Sequence, residues 1–338
     1  MNLAPGIEIL ETSFGNRPLN LVLFAGATTA LVDSGLAGMP AAYLSQLDRL
    51  SLSPHDIALV INTHAHADHI GGNHELWLAS GGQARFAAHR LEREWIETPA
   101  SQSSPDAWGR YVALGAVAGK VIEDMIATCG EGVHIAHVLD GGERFPLGAL
   151  EIEIIACPGH SVGNLSVLER THGVLMHGES LGGDGQYDTT GRLLTVPFYG
   201  DVEDYLRTLA QLARIPFDIL VSSHLPPVER RAAADLLAKS LDFTVRFDRE
   251  VQGQAQARAT FTVRELSAAM DQLWGRYPAD FGMYLLVETH LRSLLGRELV
   301  SGSLEGELRW QGGPDGSLIP LVEAVQLGID SMRRRRSP

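Results

Sequence analysis

Apolar residues in this chain come in short runs broken by turns, and the period of each run predicts its element. Residues 7–11, 19–24 and 29–33 read as strands, a helical stretch covers 40–50, and Ile57-Ala58-Leu59-Val60-Ile61 reads as a buried strand. The rhythm returns in residues 133–138, the turn Asp140-Gly141-Gly142, and residues 150–156, 165–169, 173–176 and 219–221. Two β-rich halves of similar layout predict an α/β fold in which two mixed β-sheets pack face to face with helices outside, an αββα sandwich.

Between the halves, about 90–128 carries no strand pattern and is expected to be a helical insert, hinged at residues 99–105. From about residue 232 the character turns helical. Thr262-Val263-Arg264-Glu265 fits a capping box, in which threonine and glutamate satisfy each other's backbone amides. Helices near 265–274 and 280–295 and a hairpin at 300–310 suggest a small winged-helix-type module. The expected division is a catalytic domain at 1–232, a helical module at 233–325, and a disordered arginine-rich tail at 326–338.

The chain's 338 residues carry a formal charge of −14. Phosphate contacts need surplus lysine and arginine, so a nucleic-acid partner is not expected. Residues 236–325 hold nine Lys plus Arg against twelve Asp plus Glu, which favours packing or homodimerisation for the helical module over DNA binding. The N-terminus lacks a basic segment followed by a long apolar one, and no window approaches 18 uninterrupted apolar residues, so a soluble cytoplasmic protein without a membrane partner is expected. Cys129 and Cys157 form no metal-type pair, which leaves nitrogen and oxygen as ligands.

The densest chemistry lies in Asn62-Thr63-His64-Ala65-His66-Ala67-Asp68-His69, directly after the buried strand. Four metal-ligand side chains in six residues at a strand end suit a borderline divalent ion such as zinc. This pattern resembles the signature of the metallo-β-lactamase-fold superfamily, and later segments follow in that family's order: Cys157-Pro158-Gly159-His160, His177-Gly178-Glu179, and Ser222-Ser223-His224. The resemblance spans roughly residues 7–230. It implies that His64, His66 and His160 hold one metal ion, that Asp68, His69 and His224 hold the other, and that Glu179 bridges them. Glu179 stands where the family usually has aspartate, so it can bridge after a small backbone retreat, bind one ion, or weaken the second site. Asp184 is a weaker substitute, with a strong reading as a turn residue. Asp33 is expected to anchor a turn behind the ligands, Cys157 to pack, and His177 to lie near the pocket edge. His74, His89, His134, His137, His172 and His290 are expected at the surface or in hydrogen-bonded core positions.

The implied chemistry is hydrolysis by a hydroxide between two divalent ions, zinc first and iron or manganese as alternatives, with Asp68 as the catalytic residue that orients it. Layout, including the loop at 181–197 and the helical regions, is similar to thioesterase-like members of the superfamily, among them those of bacterial alkylquinolone signalling. The expected substrate is therefore a small-molecule acyl ester or thioester. Lactone hydrolysis is adjacent, phosphodiester or RNA cleavage is the alternative of another class, and a low-turnover metal-binding sensor or partner-binding protein is the non-catalytic one.

Overall fold

The computed structural model describes residues 1–275, 277, 281–312 and 318–334. Its first sheet has seven strands in chain order: β1 (Asn2–Ala4), β2 (Ile7–Phe14), β3 (Arg17–Ala25), β4 (Thr29–Val32), β5 (Ile57–Ile61), β6 (Arg85–His89) and β7 (Ile135–Leu139). The first four pair antiparallel, and β4 to β7 run parallel. Parallel pairing demands crossovers, which hold α1 (Pro40–Leu44), α2 (Ala67–Ile70), α3 (Asn73–Ala79), and the insert helices α4 (Arg93–Glu97), α5 (Gly109–Ala113) and α6 (Gly119–Ala127).

The second sheet is built from β8 (Arg144–Pro146), β9 (Glu151–Ala156), β10 (Leu165–Glu169) and β11 (Val174–Met176). It is completed by β14 (Ile219–Val221) and β15 (Val228–Glu229), after a separate hairpin of β12 (Gln186–Tyr187) and β13 (Leu193–Thr195). Helix α7 (Val202–Leu212) makes the parallel crossover between β11 and β14.

Alternation sets the layers. Ile7, Ile9, Val22 and Phe24 from the first sheet meet Ile152, Ile154, Val167 and Met176 from the second in an apolar layer between the sheets. The first sheet's other face, with Leu21, Leu23, Leu31 and Val60, is covered by helical residues such as Tyr43, Ile70 and Leu76. The second sheet's outer face is covered by α7 and by the C-terminal helices α8 (Arg230–Gln256), α9 (Val263–Leu273), α10 (Phe281–Gly296) and α11 (Ile319–Arg334), with a small hairpin of β16 (Val300–Gly302) and β17 (Leu308–Trp310). The αββα sandwich is the observed architecture.

Three expectations change. Residues 133–138 are expected in the second half, but β7 pairs with β6 at the edge of the first sheet, because the insert returns the chain parallel to the strand it left. The 232/233 boundary falls in the first turn of α8, and one hydrophobic core runs across it from Ile155 and Leu168 through Leu237 and Phe247 to Ile329 and Met332. The tail expected at 326–338 is helical as far as Arg334. Val325, Gly328, Ile329 and Met332 form the buried stripe of α11, and Gly328 sits so close to the end of α7 that a Cβ there would lie 2.5 Å from that of Ala213. Arg333 pairs with Asp235 at 2.8 Å, while 335–338 lie outside the described residues. The expected start of a helix at Asp280 also lies outside them. No described helix is long and apolar enough to cross a membrane.

Candidate metal centre

The end of β5 is where the sequence's densest motif meets structure. Asn62 donates to Ala87 O through its backbone, while its side chain exchanges hydrogen bonds with Asn73, so the chain leaving β5 is tied to β6 and to α3. Thr63 N–H donates to Asp33 Oδ1 at 2.7 Å and its hydroxyl to Asp33 Oδ2 at 2.8 Å. His66 then stands at the N-cap of the single-turn α2, which turns Asp68 and His69 away from His64 and His66. One loop thereby serves two positions.

Later strand ends bring the other residues. His160 follows β9, Glu179 follows β11, and His224 follows β14. Two groups of donors result: His64, His66, His160 and Glu179, and Asp68, His69, Glu179 and His224, each offering ligand atoms within 4.8 Å of one another. All seven residues expected at the site are therefore assembled, with Glu179 common to both groups. Asp184 belongs to neither group, and its carboxylate accepts from the Tyr187 hydroxyl at 3.1 Å. His177 is fully buried outside both groups, where burial lowers its imidazole to about 4.

The first group fits a divalent cation on its own hydrogen-bond pattern. His160 Nδ1–H donates to Phe198 O at 2.9 Å, so its Nε2 carries a lone pair. Thr63 spends its hydroxyl proton on Asp33 and thus accepts from His64 Nδ1 at 3.0 Å, which leaves a lone pair on His64 Nε2 as well. Those two acceptor nitrogens lie 3.1 Å apart, and His66 Nδ1 is 3.0 and 3.1 Å from them. Three imidazole nitrogens at that spacing suit a cation between them, since ligands about 2.0–2.1 Å from a tetrahedral zinc are about 3.3 Å from one another. Burial and the neighbouring imidazoles hold His64 well below its ordinary value, and burial first, then His160, lowers His66 to about 3. Neutral imidazole is the metal-binding form.

In the second group the surroundings fix the Nδ1 protons in the same way. His69 donates Nδ1–H to Asp33 at 2.8 Å and His224 donates Nδ1–H to Pro18 O at 2.8 Å, aiming both Nε2 atoms inward. Those atoms lie 3.1 and 2.9 Å from Glu179 Oε1, and His224 Nε2 is 3.2 Å from Asp68 Oδ2. Burial pulls both histidines down, but carboxylates win: Asp33 and Asp68 hold His69 well above its ordinary value, and Glu179 and Asp68 push His224 up to about 9. Burial would raise Asp68, yet His69 and His224 keep it well below the usual carboxylate range. Glu179 reaches toward the first group with its other oxygen, 3.7 Å from His160 Nε2, and that oxygen accepts from Gln186 Nε2 at 3.0 Å.

Some supporting residues carry no mark in the sequence. Glu92 is buried and accepts from Ala65 N–H, Ser161 Oγ and Gly163 N–H, tying the His64–His66 loop to the His160 loop. Gln102 donates to Ala65 O at 3.0 Å and accepts from the Trp108 indole at 3.2 Å. In the sequence Glu92 stands next to Arg93 and Glu94 and reads as one charge in a solvated helical run. Gln186 alone has a signal, since it follows the glycine-rich turn after Glu179.

The metallo-beta-lactamase superfamily model matches residues 16–224, and the chain belongs to that superfamily. Hydroxyacylglutathione hydrolase of Methylococcus capsulatus is 28% identical over 200 residues, covering 58% of this chain and 56% of that protein. The chain thus spans little more than half the length of the curated relatives it matches. A metallo-beta-lactamase family protein of Thermus thermophilus superposes with a TM-score of 0.71 at 20% identity, over 92% of this chain and 100% of that one. A beta-lactamase domain protein of Burkholderia ambifaria does so at 0.64 and 18%, over 92% and 94%. These likenesses extend the shared fold through the C-terminal helices.

Proposed function

We propose that this member of the superfamily is a binuclear, zinc-dependent hydrolase of acyl thioesters or esters. The observation that carries the reading is the pair of inward-facing donor groups joined by Glu179. In this reading His64, His66 and His160 would hold one ion and Asp68, His69 and His224 the other, with Glu179, common to both donor groups, available to each. Two such ions, when bound, supply Lewis-acid activation of a water and of the acyl carbonyl.

Protein groups supply the rest. Asp68, ionised and half-buried at the cavity wall, orients the attacking water and takes its proton at a carboxylate oxygen. Asp33 and the Pro18 and Phe198 carbonyls keep three imidazoles in the tautomer that presents Nε2. A thiolate leaves as an anion near neutrality and asks for no general acid, which favours thioesters over amides. The hydroxyacylglutathione hydrolases among the relatives support the same bond class.

The test is metal analysis of protein purified without added metal, beside a panel of thioester, lactone and phosphodiester substrates. Two equivalents of metal with thioester turnover are expected, both lost in His66→Ala and Asp68→Ala. Phosphodiester cleavage alone, or a His66→Ala variant with full turnover, overturns the reading.

A further inference from the structure

The cavity over the donor groups has a volume of about 480 Å³ and is bounded by His66, Asp68, His160 and Glu179 on one side. Much of its apolar wall comes from three separate parts of the chain. Helix α6 of the insert supplies Met125, the segment after β13 supplies Val196 and Phe198, and α10 supplies Phe281 and Leu285. Trp108 completes the apolar surface, lying against Phe198 with ring centroids 5.9 Å apart and its indole fixed by Gln102. Phe281 meets Tyr111 edge to face at 5.3 Å, so α10 is packed on the insert rather than merely near it. Among the described residues lining this cavity, Arg17 is the one lysine or arginine.

Resting on the hydrolase reading, we infer that this cavity selects a substrate whose acyl group is an uncharged apolar chain or ring, seated against Met125, Phe281 and Leu285. A cavity of this size takes a drug-sized ligand, and apart from Arg17 its described walls set mainly apolar side chains and no further cation beside the donor groups. The carbonyl of such a substrate lies at the donor groups because they form the floor of the same cavity. Helix α10 is therefore a specificity element, and a tripeptide-like acyl or leaving group bearing several charges has little to bind on this wall. Each methylene moved from water to this surface is worth about two- to fourfold in affinity until the lobe is filled.

The experiment uses the metal-loaded full chain and acyl thioesters of N-acetylcysteamine from acetyl to decanoyl, beside a hydroxyacyl glutathione thioester. Expected is a kcat/KM that climbs with chain length by about two- to fourfold per methylene and then levels. Phe281→Asp should flatten the climb and Met125→Trp should move the optimum to shorter chains, while Leu327→Asp on the exposed side of α11 leaves the slope alone. Circular dichroism of each variant establishes that it is folded, and both Met125 and Phe281 are only partly buried. Hydrolysis without chain-length dependence, or with the glutathione thioester preferred, overturns the inference and leaves the hydrolase reading standing. If no thioester is cleaved, the hydrolase reading falls, and calorimetry with straight-chain carboxylates decides the cavity's role. Tightening with length that Phe281→Asp abolishes upholds it, and uniform affinity overturns it.

Discussion

Glu179 shows how much one methylene decides. Its Oε1 lies 2.9 and 3.1 Å from His224 and His69, and its Oε2 is 3.7 Å from His160 while held by Gln186. Aspartate keeps the charge but draws the carboxylate back by one bond, so it cannot face both groups unless Gly178 moves. That glycine has a φ of +58° and sits so near Thr63 that a Cβ on it would come within 3.0 Å, which leaves little slack. Glu179→Asp is expected to weaken the second equivalent of metal by about 10- to 100-fold, the size of effect seen when a ligand's orientation is lost, and metal titration followed by elemental analysis measures it. A variant that binds two equivalents as tightly as the parent would show that reach is immaterial here. Glu92 makes the complementary case, since it belongs to neither donor group. Glu92→Ala strands the Ala65 and Gly163 amides in a buried setting and is expected to cost about 1–3 kcal/mol of stability by denaturant titration, with metal affinity falling in parallel.

At the scale of elements, local pattern is readable wherever the residues that make an element also pack locally. The apolar run at 57–61 and the histidines after it place β5 and its loop correctly, because period and ligand density are both short-range. Thr262 and Glu265 likewise start α9 where their capping box says, with Thr262 N–H donating to Glu265 at 2.9 Å. What stays hidden depends on contacts far apart in sequence. No pattern in residues 281–285 announces that they roof a cavity floored by His66, and Ile135–Leu139 carry no mark of which sheet they join. The turn before His160 shows the same division. Gly159 is visibly a turn glycine, but its φ of +126° and the 2.5 Å that would separate a Cβ from Tyr205 Cα emerge only when α7 docks on it. Gly159→Ala forces both a disfavoured conformation and a clash with backbone, so it is expected to lower stability by more than about 2 kcal/mol. Thermal unfolding of the variant checks this, and an unchanged Tm would mean that α7 can shift freely.

One of the molecule's hydrophobic cores ignores the division between a β-sandwich and a helical appendage, and a buried polar network accompanies it. Asp248 of α8 accepts from His290 Nδ1 at 3.0 Å and from Arg297 at 2.7 Å, while Tyr199, beside the Phe198 carbonyl that orients His160, lies 2.8 Å from His290 Nε2. The C-terminal helices are thereby joined through α10 to the segment that positions a candidate ligand. Burial alone would raise the Asp248 carboxyl, but the bonds and charges of His290 and Arg297 outweigh it and hold the group well below the usual carboxylate range. A carboxylate depressed in the folded state stabilises the fold above its unfolded value, about 3.9, and that contribution fades as pH falls below it. Asp248→Asn removes the charge while keeping the shape. It is expected to cost about 3 kcal/mol at pH 7, where the parent pair is intact and the variant withdraws from the buried Arg297 the carboxylate 2.7 Å away, with Glu203 standing off at 4.0 Å. Near pH 3 the gap should narrow, since the parent has then begun to lose the same contribution. Chemical denaturation of both proteins at the two pH values measures the difference, and a gap that stayed constant would show that the network stabilises by packing instead of by charge.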